Sequence, residues 1–188
     1  MKNNLVISDA NIFFDIIDSG LIKEFFSLPF DIRTTMLVLN EITDTRQLQA
    51  VKPFIDSDKL KVEQVSDELF AKSLMLSLTT PGDLSISDCA VWQVAKNNNA
   101  ALLTGDGRLR KAAEKDNVEV HGILYIFDEM VNNSVNKTKV INAVSYLINT
   151  NKRFPKKQAE DKIKQWKSIK TNKMPVSISE NIEGSISD

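Results

Sequence analysis

Short apolar, β-branched runs alternate with stretches whose apolar residues recur every third or fourth position, and this alternation holds from residue 5 to about residue 120. The first run, Leu5-Val6-Ile7, ends abruptly on Ser8-Asp9 and predicts a buried strand that delivers Asp9 to a sheet edge. Ile12, Phe13, Ile16 and Ile17, then Leu21, Ile22, Phe25 and Phe26, predict helix over 11–28, interrupted at Gly20 and stopped before Pro29. Ile32-Arg33-Thr34-Thr35 reads as a second strand. A helix over 37–43 follows, with Glu41 in its early turns, and then a helix over 48–55 containing Pro53. Residues 59–65 alternate polar and apolar, the mark of a half-exposed edge strand.

Ser66 before Asp67-Glu68 starts a helix that runs to about residue 78, and the turn chemistry of Thr79-Thr80-Pro81-Gly82-Asp83 makes a loop. An almost wholly apolar helix covers 85–96. Ala100-Ala101-Leu102-Leu103 is apolar throughout, as in a central parallel strand covered on both faces. A helix over 108–115 and a last short strand over 118–120 complete the alternation. Strands alternating with helices predict an α/β fold, a three-layer α/β/α sandwich on a mostly parallel sheet, over residues 1–132. Beyond it the periodicity is helical only, so residues 133–172 read as a helical C-terminal extension. In its last helix Ala159, Ile163, Trp166 and Ile169 form an apolar stripe that docks it on the body. The Ser-rich residues 173–188 are expected to be disordered.

Charge adds a second layer. The net charge of −1 hides a body, residues 1–150, with 15 basic and 20 acidic side chains, and a segment, 151–173, with nine basic side chains against Glu160 and Asp161. That basic segment suits either a polyanionic partner or a solvated helix face. A single cysteine, Cys89, excludes an intramolecular disulfide framework, and its apolar neighbours mark it as a buried small side chain. No apolar run approaches the ~20 residues of a membrane span. With no signal-peptide pattern at the start, a cytoplasmic protein is expected.

The candidate chemistry lies in four acids. Asp9 and Asp106 each follow an apolar strand, Asp88 sits in the first turn of the apolar helix, and Glu41 follows the second strand by one helical turn. Each has an ordinary explanation: a cap for Asp9, a Ser85-x-x-Asp88 capping box, an Asp106-Gly107 turn, a helix-start surface residue for Glu41. Together they point elsewhere, because ligands of open parallel sheets bind beyond the carboxyl ends of the strands. Clustered carboxylates with only Arg108 nearby repel one another, and a hard divalent cation, Mg²⁺ or Mn²⁺, relieves that repulsion. Zinc and histidine-based triads are disfavoured, since His121 is the sole histidine. No phosphate-cradling glycine loop is present. Metal-assisted attack of water on a phosphate ester is the chemistry left. Asp83 and Asp128 read as surface acids.

Asp9-x-Asn11 after strand one, Glu41 after strand two, Leu84-Ser85-x-x-Asp88 and Leu102-Leu103-Thr104-x-Asp106 together resemble the PIN domain, a family of metal-dependent ribonucleases that includes the VapC-type toxins of toxin–antitoxin modules. The resemblance covers about residues 5–130. The chain beyond it is similar to a subgroup with an added helical C-terminus. It implies that Asp9, Glu41, Asp88 and Asp106 are catalytic acids that bind Mg²⁺ or Mn²⁺. In the same terms Asn11 and Thr104 support them, and Arg108 is a candidate phosphate contact, although a solvated helix surface accounts for it as well. It further implies an RNA substrate, endonucleolytic cleavage, an antitoxin protein as partner, and a homodimer. Two readings compete. A haloacid-dehalogenase-type phosphohydrolase also places an Asp after strand one, but needs a second Asp where Asn11 stands. A PIN-fold module without catalysis would grip RNA or a protein, although all four acids are retained.

Overall fold

Val6 and Ile7 are buried on both faces of their strand, and a run of consecutive apolar side chains is stable there only if helices cover the sheet on both sides. The computed structural model, which describes residues 4–169, shows that arrangement. Strands β1 (Leu5–Ser8), β2 (Asp31–Thr35), β3 (Leu60–Glu63), β4 (Ala101–Leu103) and β5 (Val120–His121) form one sheet in the order β3-β2-β1-β4-β5. Every neighbouring pair is parallel; Val6 pairs with Ile32 on one side and Ala101 on the other. The expected half-exposed strand is indeed the edge strand β3. The last strand lies slightly later than expected, because Val118 turns into the core while Val120 and His121 make the ladder.

The ten helices are α1 (Ala10–Asp18), α2 (Ile22–Phe25), α3 (Met36–Glu41), α4 (Thr45–Asp56), α5 (Asp67–Thr79), α6 (Ile86–Asn97), α7 (Gly107–Lys115), α8 (Ile123–Asn132), α9 (Lys137–Thr150) and α10 (Lys156–Ser168), counted among the described residues. The chain winds outward from β1 to β3, then crosses back to β4 and β5. Right-handed crossovers therefore put the helices of the two halves on opposite faces. The contacts agree: α1 packs with α2 and α4, and α6 packs with α5 and α7. The strand order reverses between β1 and β4, the place where a doubly wound sheet opens a crevice.

Helix α6 lies over β1, β2 and β4, and every residue from Cys89 to Ala95 is buried, so it is a core element. Leading into β4, it runs against the strand direction, which sets its N-terminus at the carboxyl edge of the sheet. The C-terminal stripe docks largely as expected: Ala159 and Trp166 are buried and Ile163 is packed on the core, but Ile169 is 46% exposed, just past the helix end. Asp128 departs from its expected surface role, since its carboxylate accepts from Trp166 Nε1 at 2.9 Å and from Lys162 Nζ, tying α10 to α8. The tail expected to be disordered lies outside the described residues. Among those residues no helix is long and apolar enough to cross a membrane.

Candidate active site

Asp9 leaves β1 and caps α1: its Oδ1 accepts from Ala10 N at 2.6 Å, with backbone in the extended region that a cap requires. Its Oδ2 accepts from Asn11 Nδ2 at 3.1 Å and from Thr104 Oγ1 at 2.8 Å. Asp9 N donates to Leu103 O at 3.0 Å, so the ends of β1 and β4 are stitched together beneath the carboxylate. Thr104, fully buried, also accepts from Asp106 N at 3.0 Å. One hydroxyl thus orients two of the four acids.

Asp106 caps α7 through Oδ1, taking the N–H groups of Arg108 at 2.6 Å and Leu109 at 3.2 Å, while its Oδ2 meets Arg108 Nη2 at 3.2 Å. Asp88 closes a capping box at the start of α6. Ser85 Oγ accepts from Asp88 N at 3.0 Å and Asp88 Oδ2 accepts from Ser85 N at 2.9 Å. Glu41 departs from expectation in its helix: it ends the six-residue α3 instead of lying in its early turns. No helix dipole favours a carboxylate there. Ser87 on α6 donates to Glu41 Oε1 and secures it, a bond made available by the packing of α3 on α6. Ser87 is the candidate-site contact that sequence reasoning misses, since nothing in the sequence ties it to a partner 46 positions away.

All four acids therefore collect at the carboxyl edge of the sheet, around its switch point. Their electrostatics are uneven. Burial, and then the charge of Asp88, push the Asp9 carboxyl up to about 6, against the pull of Asn11, Thr104 and the Ala10 N–H. At Asp106 burial works against the charge, but the Arg108 guanidinium and the two capping N–H groups outweigh it and hold the carboxyl below its usual range. Arg108 also feels Asp83 and Asp88, so a cation is set among these acids. Gly82 (φ +116°), which packs beside the Arg108 side chain, takes a left-handed backbone that a residue with a Cβ adopts only with strain.

A family model described as DUF3368, PIN domain, matches residues 5–168. The chain belongs to the PIN-domain family. The endoribonuclease Nob1 of Methanocaldococcus jannaschii is 35% identical over 92 residues, 49% of this chain and 46% of that protein, so the chain spans less than half the length of this curated relative. Among solved structures, VapC20 of Mycobacterium tuberculosis, described as a sarcin-ricin loop cleaving toxin, matches with a TM-score of 0.50 at 17% identity, over 57% of this chain and 94% of that one. That likeness is one of fold.

The donor chemistry of this PIN domain suits a hard dication, for every acid offers oxygen. Asp88 Oδ1 and Glu41 Oε2 make no hydrogen bond among the described residues, and Asp9 Oδ1 accepts only one. The acids do not form a finished cage: among the described residues no three Asp, Glu, His or Cys side chains are grouped to hold an ion. The reason is local, because Asp88 and Asp106 each spend one oxygen capping their own helix and Asp106 gives the other to Arg108.

Proposed function

We propose that this PIN domain is a Mg²⁺- or Mn²⁺-dependent endoribonuclease in which Asp9, Glu41, Asp88 and Asp106 hold the metal and act on an RNA phosphodiester. The observation that carries the reading is the buried Asp9 carboxylate, aimed out of β1 at the switch point and burdened by the charge of Asp88. A carboxylate kept charged in that setting calls for a positive partner. When bound, the cation supplies charge neutralisation at the phosphate and lowers the pKa of water. The chain's own residues do the rest. Asn11 and Thr104 stop the Asp9 carboxylate from turning, Ser87 holds Glu41 over the edge, and Arg108 exchanges Asp106 for a phosphate oxygen as substrate arrives.

In this reading residues 1–132 are the nuclease unit and 133–172 an extension, of which the described helices α9 and α10 pack on α8. Asn11 argues against the phosphohydrolase alternative, because an amide that donates to Asp9 supplies no acid–base group. The non-catalytic alternative draws on the Arg108–Asp106 ion pair, which engages one of the four acids. Single-stranded RNA incubated with Mg²⁺ or Mn²⁺ separates these readings. The wild type should cleave internally, EDTA should stop it, and Asp9→Asn or Asp88→Asn should lose at least about a hundredfold in rate while staying folded. Equal cleavage by those variants rejects the site; binding without cleavage by any of them leaves the RNA-gripping module. A toxin role, with a small antitoxin protein and a homodimer, extends the reading. Co-purification with the product of an adjacent small open reading frame, and rescue of growth by it, test that extension.

A further inference from the structure

A cleft of about 590 Å³ runs between α5, α6 and α7 on the sheet face that carries α6. It begins at Arg108, whose guanidinium already pairs with Asp106, so the cleft opens out of the acid cluster. Its walls invert the charge of the molecule. Five of the fifteen basic residues among residues 1–150 line it, against one acid, Asp116. Lys96 pairs with Asp116 at 2.6 Å, whereas Lys72, Lys111 and Lys115 are exposed and make no ion pair among the described residues. On α7, Arg108, Lys111 and Lys115 are spaced three and four apart and share one face, about 10 Å from first to last at the helical rise.

The floor carries a second, independent sign of a ligand. Trp92 and Gln93 line the cleft and are 6% and 1% exposed, yet Trp92 Nε1 and Gln93 Oε1 have no hydrogen-bond partner among the described residues. A buried donor and a buried acceptor left unpaired cost roughly 1–3 kcal/mol each, so a core optimised for stability alone would not keep both. A phosphate satisfies only the donor. Both atoms are closed to solvent in the free protein, and a small side-chain rotation opens them to the cleft. A nucleobase edge, with its own N–H and carbonyl groups, then satisfies both.

We propose that this cleft holds the single-stranded RNA flanking the scissile phosphate, with backbone phosphates on Lys72, Lys111 and Lys115 and one base turned onto Trp92 and Gln93. The inference rests on the reading of the acid cluster as an RNA-cleaving site, and it places the substrate track on α7 instead of on the basic segment 151–173. In that segment α10 packs on α8 and α9, and Lys162 is engaged with Asp128. A duplex offers no free base, so the cleft selects single strands.

Anisotropy of a labelled single-stranded oligoribonucleotide, titrated with full-length Asp9→Asn in EDTA, isolates binding from cleavage. Adding Lys111→Glu and Lys115→Glu together should weaken binding about tenfold or more and flatten the slope of log K against log salt by about 1.4, roughly 0.7 for each phosphate left without its lysine. Lys111→Arg with Lys115→Arg should restore both. Gln93→Leu should lower the affinity while raising the melting temperature, a combination that a purely structural glutamine does not give. Unchanged affinity in the Glu variants, or equal affinity for duplex RNA, overturns the cleft. If the Glu variants lose RNA but no metal ever yields cleavage, the cleft stands and the nuclease reading falls. If wild type cleaves and the Glu variants cleave sub-saturating RNA equally fast, the nuclease stands and the cleft falls.

Discussion

Asp9 concentrates the tension in this molecule. Its carboxyl keeps a proton in the folded chain up to about pH 6, whereas in the unfolded chain it loses it near 3.8. Between those values the folded state binds more protons, so stability falls as pH rises through that window and stays lower above it. The loss is on the order of 3 kcal/mol. Asp15, half-buried beneath Asn151 and likewise raised to about 6, adds in the same sense. Urea denaturation in EDTA at pH 4 and pH 7.5 should show the wild type less stable at the higher pH, with Asp9→Asn removing a large part of the difference. An identical pH dependence in the variant would mean that Asp9 is not the strained group. The sequence placed Asp9 and Asp106 correctly because a cap after a strand is a local matter of backbone and side-chain oxygen. It misplaced Glu41 within its helix because the stop of α3 is set by packing on α6 and by Ser87, neither of which leaves a local signature.

At the level of elements, α6 and α10 show opposite dependence on their surroundings. Helix α6 is apolar on nearly every side and was legible as a buried helix from composition alone. Helix α10 has a mostly polar surface and only a narrow stripe, so too short to stand alone, it is held by Trp166, which is 2% exposed and bonded to Asp128. Trp166→Ala should cost about 3–5 kcal/mol, from the cavity and the abandoned carboxylate together. Trp166→Phe, losing the N–H but filling most of the space, should cost clearly less. Amide exchange across residues 156–168 should accelerate first and most in the Ala variant; uniform acceleration through the sheet would show that α10 is not a separable unit. The apolar stripe announced the docking, but Asp128, the residue that receives it, read as surface. Its partners lie 34 and 38 positions away, beyond any local pattern.

Across the whole molecule, the strand order β3-β2-β1-β4-β5 brings together acids separated by nearly a hundred positions. Divalent cation should therefore tighten the fold itself, since an ion bound only by the assembled edge stabilises by RT ln(1 + [M]/Kd). The melting temperature of the wild type should rise by a few degrees in millimolar Mg²⁺ or Mn²⁺, and Asp9→Asn combined with Asp88→Asn should abolish the rise. An equal rise in that double variant would place the ion elsewhere. What the amino-acid sequence determined unaided is whatever hydrophobic period and capping chemistry encode over one or two turns: the alternating elements, the parallel sheet, the strand-end position of two acids and the helix-start position of a third. The tertiary structure alone decided which side chains meet across elements, namely Ser87 with Glu41, Thr104 between Asp9 and Asp106, and the lysines of three helices along one cleft. The reason is physical: caps and periodicity are fixed by neighbours in the chain, whereas a site on a doubly wound sheet is made where the winding reverses, and that reversal belongs to no single segment.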